Sequence, residues 1–241
     1  MRRLLAAMIL DVKLQVRTNL YSIGIGAGVL VAVALAWLAR PEQLPAYVPA
    51  LMLLVVGGST MLYVAAMILF EKEQGTLNAT IVSPMRTAEY LWSKIITLTA
   101  LATVEAVVMV GGATLIMSFS NQVTIPNIPL LLLGIILIGI LYTLVGIVLI
   151  VRYDKITDFL IPMSGVAVIL QLPFVYFLGW VEHPILLIIP TSAPTVLMQG
   201  AYGPLAGWEW AYGVGFTAAL LIGLTIWAHR AFRTHIIMKV G

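Results

Sequence analysis

The chain has 241 residues, of which 61% are hydrophobic and 10% charged, with a formal charge of +3 and no cysteine. A soluble domain carries about 25% charged residues, so this composition excludes an ordinary water-soluble globule and describes a membrane protein. Without cysteine there are no disulfides or thiolate metal sites, and His183, His229 and His235 are too scattered to suggest a metal cluster.

Residues 2–18, RRLLAAMILDVKLQVRT, read as an amphipathic helix lying along the membrane surface. Leu4, Leu5, Met8, Ile9, Val12 and Val16 share one face, while Arg2, Asp11, Lys13, Gln15 and Arg17 lie elsewhere. Leu10 and Leu14 interrupt the polar side, which leaves two readings open: a plain interfacial anchor, or a contact with protein. Asp11 and Lys13 break the apolar run too early for a cleavable signal, so the segment is expected to be kept.

A helix crossing about 30 Å of hydrocarbon needs roughly 20 apolar residues. Six stretches qualify: 20–39, 49–70, 95–118, 130–151, 159–178 and 211–229. Gly24, Gly26 and Gly28 in span one, and Gly57, Gly58 and Ser59 in span two, are small-residue strips of the kind that let helices pack closely. Most prolines, Pro41, Pro45 and Pro49 among them, fall in the connections on one side of the membrane.

Between spans two and three the sequence runs FEKEQGTLNATIVSP at 70–84, three charges in a chain that otherwise avoids them. Gly75 permits backbone angles that other residues resist, Pro84 ends a preceding helix, and Leu77, Ile81 and Val82 form a small apolar face. Such a compact charged knob, continuous with two spanning helices, suits docking into a groove of another protein. In span three, Glu105 is a carboxylate deep in the membrane, either a group that binds substrate or carries a proton, or a structural carboxylate bonded between helices. RYDKITD at 152–158 joins spans four and five and reads as a second contact loop or an ordinary solvated turn. Span five contains Pro162, Gln171 and Pro173 and is expected to be kinked, with its polar group either lining a path or packing. Residues 179–210 are too apolar for a loop and too often broken by proline to cross, so they read as short re-entrant helices on the outer side.

Lysine and arginine set the sidedness. Arg2, Arg3, Lys13 and Arg17 precede span one; Lys72, Arg86 and Lys94 lie between spans two and three; Arg152 and Lys155 join four to five; Arg230, Arg233 and Lys239 follow six. Arg40 alone of the thirteen basic residues falls on the other side, so both termini are expected in the cytoplasm. No G-x-x-x-x-G-K-[ST] phosphate loop occurs, nor H-E-x-x-H or G-x-S-x-G, so no catalytic residue, metal or cofactor is assigned to this chain.

Glu71, Glu73, Gly75, Thr76, Leu77, Ser83, Pro84 and Lys94 match, in order and spacing, the E-x-E-x-G-T-L, S/T-P and K pattern of the type-2 family of ATP-binding-cassette exporter permeases, which the chain resembles over its whole length. Within that family it is most similar to bacterial drug and fluoroquinolone export permeases. The resemblance implies an all-α integral membrane fold: six transmembrane helices, an N-terminal interfacial helix at 2–18, a coupling helix within 71–86 and outer re-entrant helices at 179–210. It implies that Glu71, Lys72, Glu73, Gly75, Thr76, Leu77, Ile81, Ser83, Pro84 and Arg86 form the coupling element. Gly75 and Pro84 shape it, the two glutamates orient it or pair with basic groups of the ATPase, and Leu77 and Ile81 fill the ATPase groove. Arg152, Asp154 and Lys155 would make a secondary contact, and Glu105, Gln171 and Pro173 would line a substrate path, with spans two and five toward a dimer interface. The implied partners are a nucleotide-binding ATPase subunit holding ATP and magnesium, a second permease copy and membrane lipid, with no nucleic acid. The implied location is the bacterial inner membrane. Two rivals stand beside this reading: a proton-coupled secondary transporter using Glu105, and a membrane assembly subunit that moves nothing.

Overall fold

A computed structural model describes residues 2–76, 86–119, 123 and 125–237. Leu77, Ile81, Val82, Ser83 and Pro84 of the charged segment lie outside the described residues.

Six helices are long and apolar enough to cross a membrane: Leu20–Leu38, Pro41–Glu73, Thr87–Ser118, Ile128–Ile150, Ile156–Phe177 and Gly207–Ile236, spans one to six. They make the chain an all-helical, multi-pass membrane protein. Spans two and three have 33 and 32 residues. At 1.5 Å per residue each is about 50 Å long, well beyond a hydrocarbon core of about 30 Å. Pro41, Pro45 and Pro49, expected in a connection, instead sit in the opening turns of span two. Pro41 and Pro45 occupy first turns, which tolerate proline because their N–H groups have no helical partner, whereas Pro49 lies inside the helix Leu44–Leu51. Span four starts on a cap, the Asn127 side chain accepting from the Leu130 N–H at 3.3 Å, and span three on the Glu89 carboxylate accepting from the Arg86 N–H at 2.9 Å.

Spans two, three and four form the centre. Between 56% and 67% of their apolar windows is buried, against 28% or less in spans one, five and six, whose remaining surface faces outward. In lipid the helices associate through close packing rather than water exclusion. Span one accordingly lays Gly24, Gly28 and Ala32, one turn apart and all buried, along span three. A Cβ at Gly28 would lie 2.8 Å from the Glu105 carbonyl oxygen, and one at Gly112 would lie 3.0 Å from the Ala32 Cβ. Gly26, grouped with this strip by sequence, points away and has nothing within 4 Å of its Cβ position.

Span two is interrupted by a π turn at Met52–Val56, just after Pro49. A π turn redirects backbone carbonyls away from the regular ladder. The hydroxyl of Tyr142 in span four lies 3.3 Å from the Leu53 carbonyl oxygen, and Gln171 Nε2 of span five donates to the Leu54 carbonyl at 3.3 Å. Next to the turn, Gly57 leaves the space that the Tyr142 ring fills.

The apolar segment after span five holds a 3-10 turn, Pro184–Ile188, and a helix, Ser192–Gln199, whose residues Ser192 to Met198 are all buried. It is anchored by Thr191 Oγ1 donating to the Leu170 carbonyl at 2.6 Å and by the Asn127 N–H donating to the Ala201 carbonyl at 2.7 Å. The N-terminal helix, Arg2–Arg17, turns into span one at Asn19, which adopts a left-handed φ of 60° that asparagine tolerates. Its polar residues divide between the bundle and the surface. Asp11 and Gln15 are buried against the bundle, whereas Leu5, Ile9, Leu10, Val12 and Val16 are exposed. Leu14 packs half-buried on the core.

Candidate functional site

The feet of spans two and three carry a buried charge cluster at the basic end of the molecule. Lys94, 1% exposed, donates to Asp11 Oδ1 at 2.5 Å and to Glu71 Oε1. The other carboxylate oxygens are also met: Ser93 Oγ donates to Asp11 Oδ2 at 2.5 Å and Tyr90 OH to Glu71 Oε2 at 2.6 Å. Moving charges out of water costs several kcal/mol each, and this is offset only when every partner is in place, as here. One ammonium thus joins the N-terminal helix, span two and span three. The Tyr90 ring extends the junction to span six, packing tilted against Phe232 with ring centroids 5.1 Å apart.

Beside it, Lys72 donates to the Tyr153 carbonyl at 2.6 Å and pairs with Asp154 at 3.2 Å, tying the foot of span two to the loop after span four. The ion pair itself adds little, since Asp154 is 75% exposed, whereas the carbonyl bond is partly buried. Span two then stops at Gly75, with φ of +68° and its N–H bonded to the Lys72 carbonyl at 3.1 Å. That φ is open to glycine and strained for other residues. Glu71 and Lys72 therefore face inward, while Glu73, Gln74, Gly75, Thr76 and Arg86 are exposed, as are Arg152, Asp154 and Lys155.

Glu105 is fully buried where spans one, two and three meet. Its Oε2 accepts from Ser59 Oγ at 2.8 Å and from Tyr63 OH at 3.0 Å, and Oε1 has no hydrogen-bond partner among the described residues. Gly24 makes room for this group: a Cβ there would sit 3.0 Å from the Tyr63 hydroxyl oxygen. Gln171 is placed elsewhere, its Nε2 beside Gly58 and the π turn, with Pro173 buried next to it at the break in span five. Gly58 and Ser59 are consecutive, about 100° apart around the helix, so Gln171 and Glu105 sit on different faces of span two.

Sequence reasoning did not assign Asp11, Tyr90, Ser93 or Tyr142 to any site. Asp11 and Gln15, one turn apart on the N-terminal helix, are the visible signal of a polar strip, but 83 positions separate Asp11 from Lys94.

The profile of the fluoroquinolones export permease protein family matches residues 2–240. The chain is also similar to the fluoroquinolones export permease proteins of Mycobacterium tuberculosis strains CDC 1551 / Oshkosh and ATCC 25618 / H37Rv. Each is 29% identical over 251 residues, covering 100% of this chain and 99% of the relative. A single profile spanning all six helices and the charge cluster shows that the chain belongs to the fluoroquinolones export permease protein family.

Proposed function

We propose that this permease is the transmembrane subunit of an ATP-binding-cassette exporter in a bacterial inner membrane, with both termini cytoplasmic. It pairs with a second permease copy and with a separate ATPase that holds ATP and magnesium. Its substrate is a hydrophobic or amphipathic compound, and the fluoroquinolone named for its relatives is the first to try. The observation that carries this reading is the charge cluster: Glu71, at the start of segment 71–86, is locked through Lys94 to span three and to the N-terminal helix. A push on the segment therefore moves several helices together. Span three begins at Thr87, ahead of its apolar run at 95–118, so the cluster at its foot lies where a cytoplasmic motor can act. Driving a transporter from 1:99 to 99:1 between two conformations takes about 5.5 kcal/mol of differential binding, within the reach of a nucleotide-driven partner.

The test is ATP hydrolysis by the permease in lipid nanodiscs with its co-purified ATPase, wild type against Glu73→Ala/Gly75→Pro. Proline fixes φ near −65°, incompatible with +68° at Gly75. Both positions are exposed, so the variant is expected to fold and to lose ATPase binding or coupled hydrolysis. A variant that couples like wild type, or a permease that retains no ATPase, sinks the proposal.

Glu105 supplies the second reading, a proton-coupled transporter. Its full burial and two hydroxyl partners favour a structural acceptor. Glu105→Gln, which keeps an acceptor for both hydroxyls, is expected to export at close to the wild-type rate. Glu105→Ala strands the Tyr63 hydroxyl, while Ser59 keeps the Val56 carbonyl, and is expected to cost about 1–3 kcal/mol of stability, read from thermal unfolding. Loss of export in the glutamine variant, with stability intact, would favour the proton-coupled reading.

A further inference from the structure

A cleft runs between the N-terminal helix and the foot of span two. It consists of two adjoining hollows, of about 540 and 430 Å³, that share Leu14, Arg17 and Gln74. Lys13 and Arg17, one turn apart on the N-terminal helix, line one wall. Neither makes an ion pair among the described residues, unlike Lys72 and Lys94 nearby. Leu10 and Phe70, 67% and 42% exposed, add apolar surface. Glu71 also borders the cleft, but its oxygens are engaged by Lys94 and Tyr90. Arg17 and Thr18 immediately precede span one, and Phe70 to Gln74 form the last turn of span two. The cleft therefore lies at the level where two spans leave the apolar zone, the depth of lipid head groups.

We propose that this cleft is a binding site for an acidic phospholipid. Lys13 and Arg17 take the phosphate, Gln74 hydrogen-bonds the head group, and Leu10, Leu14 and Phe70 receive the upper acyl chain. A soluble phosphate offers the same charge, but the apolar wall opening at membrane depth selects the lipid. Two cations at a surface site are engaged at once, each favouring an anionic lipid by roughly fivefold, so removing both weakens retention by up to about thirtyfold. The proposal stands independently of the ATPase partnership.

The full-length permease, purified and progressively delipidated, is examined by native mass spectrometry after equilibration with phosphatidylglycerol or phosphatidylcholine. Wild type is expected to retain phosphatidylglycerol selectively, and Lys13→Gln/Arg17→Gln to lose it. Lys13→Arg/Arg17→Lys, which preserves charge, is expected to keep it, as is Arg230→Gln/Arg233→Gln, which removes the same charge at the end of span six. Equal retention of both lipids, wild-type retention by Lys13→Gln/Arg17→Gln, or equal loss in the Arg230 and Arg233 variant overturns the site. Displacement of phosphatidylglycerol by millimolar glycerol phosphate overturns the lipid assignment in favour of a soluble phosphate.

Discussion

Lys94→Met is expected to destabilise the permease by about 3–5 kcal/mol, among the largest effects of any single substitution. The substitution keeps the volume and removes the cation that Asp11 and Glu71 share, so a buried and a partly buried carboxylate lose their common partner. Thermal unfolding in detergent or nanodiscs would show the loss as a lower midpoint, or as failure to accumulate in the membrane. Neutralising the stranded carboxylates is the remedy. In the triple variant Asp11→Asn/Glu71→Gln/Lys94→Met no uncompensated charge remains, and neutral replacements of buried ion clusters are often tolerated. That variant is expected to recover most of the lost stability. If Lys94→Met unfolds at the wild-type midpoint, the cluster is too well solvated to act as a junction, and the lever argument loses its anchor.

The six spans were legible because hydropathy and helix length act locally, and each of the six apolar runs contains enough information to declare itself. The break in span five was legible too, since Leu172 and Pro173 do end the regular helix there. What escaped was pairing. The Asp11 and Lys94 contact depends on where the N-terminal helix comes to rest, and amphipathic patterning assumes that polar residues face water. In this helix the polar strip meets a polar foot of span three, so Asp11 and Gln15 are inside and Leu5, Ile9 and Leu10 outside. The π turn also left no local trace: Met52–Val56 is as apolar as its neighbours, and its carbonyls are met by side chains from spans four and five. Glu105, Gln171 and Pro173 stand out in the sequence as polar or helix-breaking residues in the membrane, and the fold puts Glu105 on a different face of span two from Gln171 and Pro173.

These contacts make span two the hub of the molecule. At its foot, Glu71 binds span three, and through Lys94 the N-terminal helix, while Lys72 binds the loop after span four; midway, Ser59 and Tyr63 bind Glu105; beyond, the π turn binds spans four and five. Polar contacts between membrane helices average about 0.6 kcal/mol each, so no one of them holds the rod in place. Distributed over three levels, they oppose tilting of span two relative to the core.

Gly57 is where that hub is least tolerant. A Cβ at this position would lie 2.3 Å from Tyr142 Cζ and 2.7 Å from its hydroxyl oxygen, inside any permissible contact, and the ring is fully buried with no space to retreat. Gly57→Ala is expected to cost about 3 kcal/mol, because either span two or span four must move. Gly58→Ala, one residue along, meets only Gln171 Nε2 at 3.4 Å, an ordinary contact, and is expected to change stability by well under 1 kcal/mol. The contrast between adjacent glycines separates steric conflict from any general intolerance of alanine in this helix. Removing the obstacle should remove the penalty: in a Tyr142→Ala background, itself less stable, adding Gly57→Ala is expected to cost little. The two changes would then be non-additive by about 2–3 kcal/mol in a double-mutant cycle read from thermal midpoints. Additive effects would mean that Gly57 and Tyr142 do not pack as described, and that the π turn is held open by something other than this ring.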